Sequence, residues 1–574
     1  MKTLLIPLDD RPVTYTFPAL VAKVARVEAI LPPRAMMGAL SRPAQIDELF
    51  NFAEGVIARQ EPEAVIVSLD SILYGGLITG RRSQEEAKTI MERLDRVKKW
   101  KTLTPHAPLI LAQSSIMRIS DNYDNTEEKE YWSRFGREIF EWSGCLHRLA
   151  LGEKLAPGLL ESLERRIPAE IRQDYLDTRR RNFSVNMALL KSMGESAGAK
   201  KGGGIFDHLI FSQDDSGAYG LNVSEKERLI ATSKQLGVEG RVSVYAGADE
   251  VLMTLFARLL LAQAKNKSGA QAPDVIVCFS PAGCSSVASR YEGQDVGTTV
   301  ASHVEAAGLK MSIDPNSGSS DHSESSNAAE NSGAGGGSTG TTNGDIRQGT
   351  TESFTLIVHG PTEVQGDHIT LPGLPDMSNL NTSKAVAHTC ELIEGASNNV
   401  IIADVAYANG GDPKLVETLL KNPPLLQKIK AYGGWNTAGN TMGSVLAVAV
   451  AYWYSSVCRG EQAPALAGST AAAPAAAGQT AASSPSSEEA PALTTPEMLS
   501  EAHKQCLFVR LIDDWAYQAC VRKLLKGEPS TQVLASLIGP HIAQVNTALH
   551  MEPNVRMCFP WKRTFEIEIS FEGN

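Results

Sequence analysis

Cysteine is sparse and scattered in this 574-residue chain: eight residues, at 145, 278, 284, 390, 458, 506, 520 and 558, with no CxxC pair and no short Cys/His spacing. A disulfide framework or zinc ribbon is therefore excluded as the basis of the fold, and most of these thiols read as small buried hydrophobes. Cys284, in the loop SPAGCSS, has a nucleophile's setting but no identifiable His partner. Long apolar runs are also missing. No window reaches the roughly 20 residues a membrane helix needs, and the richest stretch, 445–454, reads as a buried helix. Basic blocks are lacking too: 54 Lys and Arg against 65 Asp and Glu give a formal charge of -11, which argues against a nucleic-acid or anionic-membrane surface. No P-loop or HExxH sequence occurs, and no strand end carries GxGxxG or GxSxG, so nucleotide, zinc-protease and serine-hydrolase chemistry have no support. The first residues run from Lys2 through a short apolar stretch into Asp9, Asp10 and Arg11, which is not a signal-peptide pattern; a cytoplasmic protein is expected.

What the chain does have is a repeated motif. Four apolar, β-prone runs end abruptly in polar or acidic residues: LLIPLDDRP (4–12), AVIVSLDSILYGG (64–76), HLIFSQDDSGAYG (208–220) and VIIADVAYANGGD (400–412). Buried parallel strands read as continuous apolar runs, and α/β proteins bind ligands beyond the carboxyl ends of such strands. The carboxylates are thus expected to line one cleft.

Strand and amphipathic helix signals alternate along both halves, which predicts an α/β fold of mainly parallel sheets with flanking helices, in two doubly wound domains. An elaborated (β/α)8 barrel is the alternative. The expected organisation is an N-terminal α/β domain over 1–268 with a helical excursion at 121–200 that acts as a lid, and a flavodoxin-like domain over 269–460. A helix and a terminal edge strand over 497–574 would then pack on the core. The Ser/Gly/Asn-rich segment 315–348 and the Ala/Ser/Pro-rich linker 461–496 cannot bury enough apolar surface to offset chain entropy and are expected to be disordered.

The blocks PLDDRPV, SLDSILYGGL, IMRISDNYDN, SQDDSGAYGLNV, GADEV, DVAYANGGD, GGWNTAGNTMG, DDWAYQ and FPWKRTFE resemble those of the bacterial family catalogued as domain of unknown function 4127. The resemblance covers nearly the whole chain outside the two biased segments. It implies no activity.

Chemistry must be argued from the residues. Asp214 and Asp215 close a strand, where adjacent side chains point in different directions, so one acts as acid or base while the other orients a substrate group. Asp10 and Asp70 are the further catalytic candidates. Asp9 and Arg11 beside Asp10, and Tyr74 after Asp70, are candidate substrate contacts, as are Arg118, Asn122, Gln213, Tyr219, Asp249 and Glu250. In the second half, Asp404, Tyr407, Asn409 and Asp412 surround a Gly-Gly turn. Trp435, Asn436, Thr437 and Asn440 precede a helix, whose first turn also offers N–H groups. Asp513, Asp514 and Trp515 interrupt an otherwise apolar helix, and Asp514 and Trp515 join the candidates. Carboxylates, amides, Tyr and Trp with few histidines are the inventory of a carbohydrate site, so a glycosidase working by carboxylate acid/base catalysis without a cofactor is expected. Mg²⁺- or Mn²⁺-dependent phosphoryl or hydroxy-acid chemistry, and sugar or cell-wall-fragment binding without turnover, are the alternatives. The expected partner is a small molecule or oligosaccharide.

Overall fold

The computed structural model describes residues 1–195, 204–314, 353–369, 381–396, 399–458 and 499–572. The two segments expected to be disordered lie outside the described residues. Six runs build the first sheet: β1 (Lys2–Ile6), β2 (Glu28–Ile30), β3 (Ala64–Ser68), β4 (Leu109–Ile116), β5 (His208–Gln213) and β6 (Val242–Ala246). They are parallel throughout, in the order β2-β1-β3-β4-β5-β6. Both faces of this sheet are covered, which is why β3, AVIVS, is apolar nearly end to end and buried at every position.

After β7 (Asp274–Ser280), β8 (Lys310–Ile313), β9 (Ser353–His359), β10 (Gly366–Asp367), β11 (Val400–Asp404), β12 (Tyr407–Ala408) and β13 (Ile429–Gly433), the second sheet is complete. It runs β13-β11-β9-β7-β8, again parallel, while β10 and β12 form a separate two-residue pair. Read from β7, this is the 2-1-3-4-5 order of flavodoxin-like sheets, and the first five positions of the first sheet follow it too. The fold is α/β with two open sheets; no closed barrel forms among the described residues.

One apolar cluster joins them. It contains Leu5, Ala64, Ile66, Leu111 and Ile210 of the first sheet together with Val275, Val277, Leu356 and Ile401 of the second. Between them lie the helices Val251–Ser268 and Ala438–Val457. The opposite face of each sheet has its own core. Helix Ala438–Val457 starts where the Thr437 side chain accepts from the Asn440 N–H, so Thr437 is the N-cap. Helix Pro413–Leu420 is capped the same way by Asp412, with Pro413 in its first turn.

Between β4 and β5 the expected helical excursion forms as Trp132–Ala150, Leu159–Arg166 and Ala169–Glu195, with a small core of its own around Trp132, Trp142 and Tyr175. The C-terminal region departs from expectation twice. The long helix there is α-helical only over Glu501–Arg510 and continues as a π-helix, Leu511–Val521. The terminal apolar-polar run is not an edge of either large sheet: β15 (Glu568–Phe571) pairs antiparallel with β14 (Val555–Cys558), a closer partner in sequence. Among the described residues no helix is long and apolar enough to cross a membrane.

Because the two sheets share one core, unfolding should be a single event. Leu260, fully buried in the shared cluster, tests this: Leu260→Ala should cost about 2–5 kcal/mol. In denaturant, tryptophan fluorescence and far-ultraviolet circular dichroism should report one coincident transition for both proteins. Two separated transitions would contradict the shared core.

Candidate active site

The carboxyl ends of both sheets open on one cleft of about 740 Å³. Its walls follow β1 (Asp9, Arg11), β4 (Arg118, Asn122, Glu127), β5 (Asp214, Asp215) and β6 (Asp249) on one side. The loops after β7 (Arg290, Tyr291), β11 (Asn409) and β13 (Asn436) lie on the other, and Arg522, Trp561, Arg563 and Phe565 come from the C-terminal region. Asp9 stands beyond β1, next to β3, where the chain connections reverse direction across the sheet; this is the switch point at which α/β sheets bind ligands.

The acids are held by arginines. The Asp9 carboxylate accepts from the Arg11 backbone N–H at 3.0 Å, from Arg11 Nε at 2.9 Å and from Thr14 Oγ1 at 2.6 Å. Arg11 then reaches Asp249 with both terminal nitrogens, at 2.5 and 3.4 Å. Burial pushes the Asp249 carboxyl up to about 6 although Arg11 opposes this.

Asp214 and Asp215 form the second node. Arg81, almost fully buried, pairs with Asp214 Oδ2 and lies 3.4 Å from Glu128. Arg118 lies 3.3 Å from Asp215, 2.7 Å from Glu128 and 3.2 Å from Glu127. Arg563 closes the network from the far end of the chain, 2.7 Å from Glu127. The two kinds of carboxyl respond in opposite directions. Burial alone would raise Glu127, but Arg118, Arg563 and Arg81 outweigh it and hold it well below the usual range. For Asp215, burial and the neighbouring Asp214 prevail over Arg118 and push the carboxyl up to about 7.

The remaining candidates sort by position. Asp70 is 5 % exposed, binds the backbone N–H and hydroxyl of Ser115 and does not line the cleft; burial lifts it to about 6. Tyr74 is buried behind it with its hydroxyl unpartnered. Asp10 does not line the cleft; it accepts from Trp561 Nε1 at 2.6 Å, with Arg42 at 3.7 Å. Gln213 is buried against Ser216, and Tyr219 is exposed beside His147. Glu250 is wholly buried; it accepts the Ala248 N–H and pairs with His303 at 3.3 Å.

Asp404 accepts from the Asp412 N–H and the Tyr432 hydroxyl, and Asp412 pairs with His359 at 3.1 Å. Asp514, on the π-helix, accepts the Gly434 N–H and pairs with Arg510. These acids brace the Gly-Gly turns behind the wall. Gly411 is required there, since a Cβ would meet the Tyr432 hydroxyl at 2.1 Å. Tyr407 is buried against His368. Trp435 and Trp515 are buried as well, so neither offers a face to a sugar from the cleft wall. Asn436 does line the cleft, and Asn440 accepts the Asp249 N–H, tying the two sheets together. Cys284 is buried and its thiol is pushed up to about 12, which removes it as a nucleophile.

Several cleft residues were not foreseen. Trp561, Phe565, Phe140 and Tyr291 supply the aromatic faces. Tyr291 donates to Asp367 at 2.5 Å, and Asn409 donates to the same carboxylate at 3.0 Å. Backbone strain concentrates here: Tyr291 (φ 66°), Asn409 (φ 59°), Asn436 (φ 60°) and Trp561 (φ 55°) all hold left-handed conformations. Asn tolerates this readily, but for Tyr and Trp it costs on the order of 1–3 kcal/mol, and such strain gathers at functional sites. Glu566, buried beside this segment, is lifted to about 8 by burial, against the pull of Arg11 and Arg563. The block FPWKRTFE held the signal for Trp561 and Phe565, but the overlapping run RTFEIEISFEG reads by its apolar-polar alternation as an edge strand.

A family model described as "Protein of unknown function (DUF4127)" matches residues 3–320 and 340–570. The chain belongs to this family. No curated protein and no solved structure matches it. In this DUF4127 protein the matched span contains every cleft residue named above.

Removing Arg81 would take from the Asp214 carboxylate its ion-pair partner, while Glu128 keeps Arg118. Arg81→Met should destabilise the protein by roughly 3–5 kcal/mol in denaturant titrations, the cost of leaving a buried charge unpaired. Glu566 provides a pH test. Its carboxyl holds its proton in the folded protein up to about pH 8 and loses it near the ordinary value when unfolded, so its contribution to stability is lost as pH rises between those values. Glu566→Gln should therefore lose less stability than wild type between about pH 5 and 8, measured by urea unfolding at both values.

Proposed function

We propose that this protein is a carbohydrate-active hydrolase that cleaves a glycosidic bond by carboxylate acid/base catalysis, with Asp215 as the proton donor. The observation that carries this reading is a carboxyl group with a value near 7, next to a second carboxylate held by Arg81, on the wall of a cleft that also presents aromatic faces. A general acid works best with a pKa near the working pH, and glycosidases raise one carboxyl by environment while its neighbour stays charged. Asp214 then orients a water or an acetamido group of the substrate. Phe140 holds a sugar ring by its face, and the amides of Asn409 and Asn436 hydrogen-bond hydroxyls.

Mg²⁺- or Mn²⁺-dependent chemistry would use the same acids. Among the described residues no three His, Cys, Asp or Glu side chains converge as a metal needs, and arginines occupy the oxygens of Asp9, Asp214 and Asp249. Sugar binding without turnover calls for the same contacts but gives no reason for an acid poised near neutrality.

Hydrolysis of a panel of aryl glycosides and muropeptide fragments tests the assignment. Asp215→Asn should lower kcat about 10²–10⁴-fold with KM little changed. The wild-type rate should fall with rising pH through about 7 as Asp215 loses its proton, and this limb should be missing from the residual activity of the variant. Equal turnover by both proteins would remove Asp215 from the mechanism.

A further inference from the structure

The acids and arginines of the cleft do not cancel evenly along its length. At the Asp9, Asp214, Asp215 and Asp249 end, each carboxylate faces Arg11, Arg81 or Arg118. Asp124 and Asp295 cap local turns, with Asp124 bound to the Thr126 N–H and Asp295 to the Thr298 N–H. The charged lining residues that the C-terminal region supplies, Arg522 and Arg563, are both positive. Arg522 and Arg563 place their guanidinium carbons 5.2 and 4.9 Å from the centroid of one ring, Phe565. Two cations on one aromatic residue repel each other; Glu127 pairs with one terminal nitrogen of Arg563 at 2.7 Å, while Asp367 and Asp513 act on Arg522 without an ion-pair contact.

Arg563 Nε and Nη2 are buried and lack a hydrogen-bond partner. The hydrogen bonds of Arg522 include one to the neutral Gln518 side chain, at 2.9 Å. Arg290, on the opposite wall, spends its Nε on the Gln365 carbonyl. Among the described residues neither Arg290 nor Arg522 lies within ion-pair distance of a carboxylate. The nearby Asp367 is already engaged by Tyr291 and Asn409. Arg290 and Arg522 thus line the cleft with no ion-pair partner among the described residues, and guanidinium groups so placed recognise a planar or tetrahedral oxyanion through paired, charge-assisted hydrogen bonds.

We propose that Arg522 and Arg563, with Arg290 opposite, form a subsite for an anionic substituent, so that the substrate is an acidic sugar bearing a carboxylate or a phosphate ester. This rests on the carbohydrate reading above and narrows it. The aromatic face of Phe565 backs the two arginines rather than competing with them, because guanidinium planes stack on aromatic rings. The subsite shares the cleft with Asp215, which sets the anionic group on the same ligand as the bond to be broken.

Binding can be separated from turnover by titrating the full chain carrying Asp215→Asn, in a calorimeter, with D-glucuronate, inorganic phosphate and D-glucose. The expected result is binding of glucuronate or phosphate at least about tenfold tighter than glucose, weakening with added salt. Preference for glucuronate assigns a sugar carboxylate, and preference for phosphate a phosphate ester. Adding Arg522→Gln should lower the anion's affinity about tenfold or more and leave glucose unaffected. Arg290→Gln, a substitution at a partly exposed side chain, should weaken it in the same direction should Arg522→Gln fail to fold. Arg228→Gln, on the outer surface against Phe183, should change nothing. Equal affinity for charged and neutral ligands, or full anion affinity after loss of Arg522 or Arg290, would overturn the subsite. Because no bond is cleaved in these titrations, either result leaves the hydrolase assignment to its own assay.

Discussion

The arrangement of the cleft depends on buried arginines that join carboxylates from distant loops. Arg11 links the loop after β1 to the one after β6, Arg81 and Arg118 link the excursion to the end of β5, and Arg563 brings the C-terminal segment onto Glu127. Buried carboxylates left alone would simply take up protons; paired with guanidinium groups, some keep their charge. The difference between Glu127, held low by the arginines around it, and Asp215, raised by burial beside Asp214, arises within a single network. That division of labour is what acid/base chemistry at neutral pH requires.

The scaffold explains why the network can be so specific. Two parallel sheets share one apolar core through the helices Val251–Ser268 and Ala438–Val457, so their carboxyl ends hold a fixed relation. The Asn440 side chain accepting the Asp249 N–H, and Glu292 accepting the Gly439 N–H at 2.6 Å, fasten the two rims directly. Loops anchored on strand ends can then carry strain, and the left-handed Tyr291 and Trp561 stand among residues held from several sides.

Much of the fold was legible in the sequence because buried parallel strands announce themselves as apolar runs with sharp polar ends. Val242–Ala246 and Pro413–Leu420 occupy the residues that patterning indicates. The edge strand β8, KMSI, is short, mixed in character and largely exposed, so it carries no such signal. The π-helix at Leu511–Val521 was hidden for another reason: the segment is buried nearly all round, so no one-sided apolar face is left to reveal its period. Strand-end acids pointed correctly to the cleft at Asp9, Asp214, Asp215 and Asp249, but the same pattern also marks acids such as Asp70 and Asp404 that brace loops from behind. Partners could not be read at all: Arg81 and Asp214 are 133 residues apart, and Arg563 and Glu127 are 436 apart.

The central claim is that Asp215 keeps its proton near neutral pH because of where the fold puts it. An infrared difference titration of wild type against Asp215→Asn measures this directly, by following the protonated-carboxyl stretch that the substitution removes. The account requires that band to disappear with a midpoint near pH 7. A midpoint near 4, the ordinary aspartate value, would contradict it.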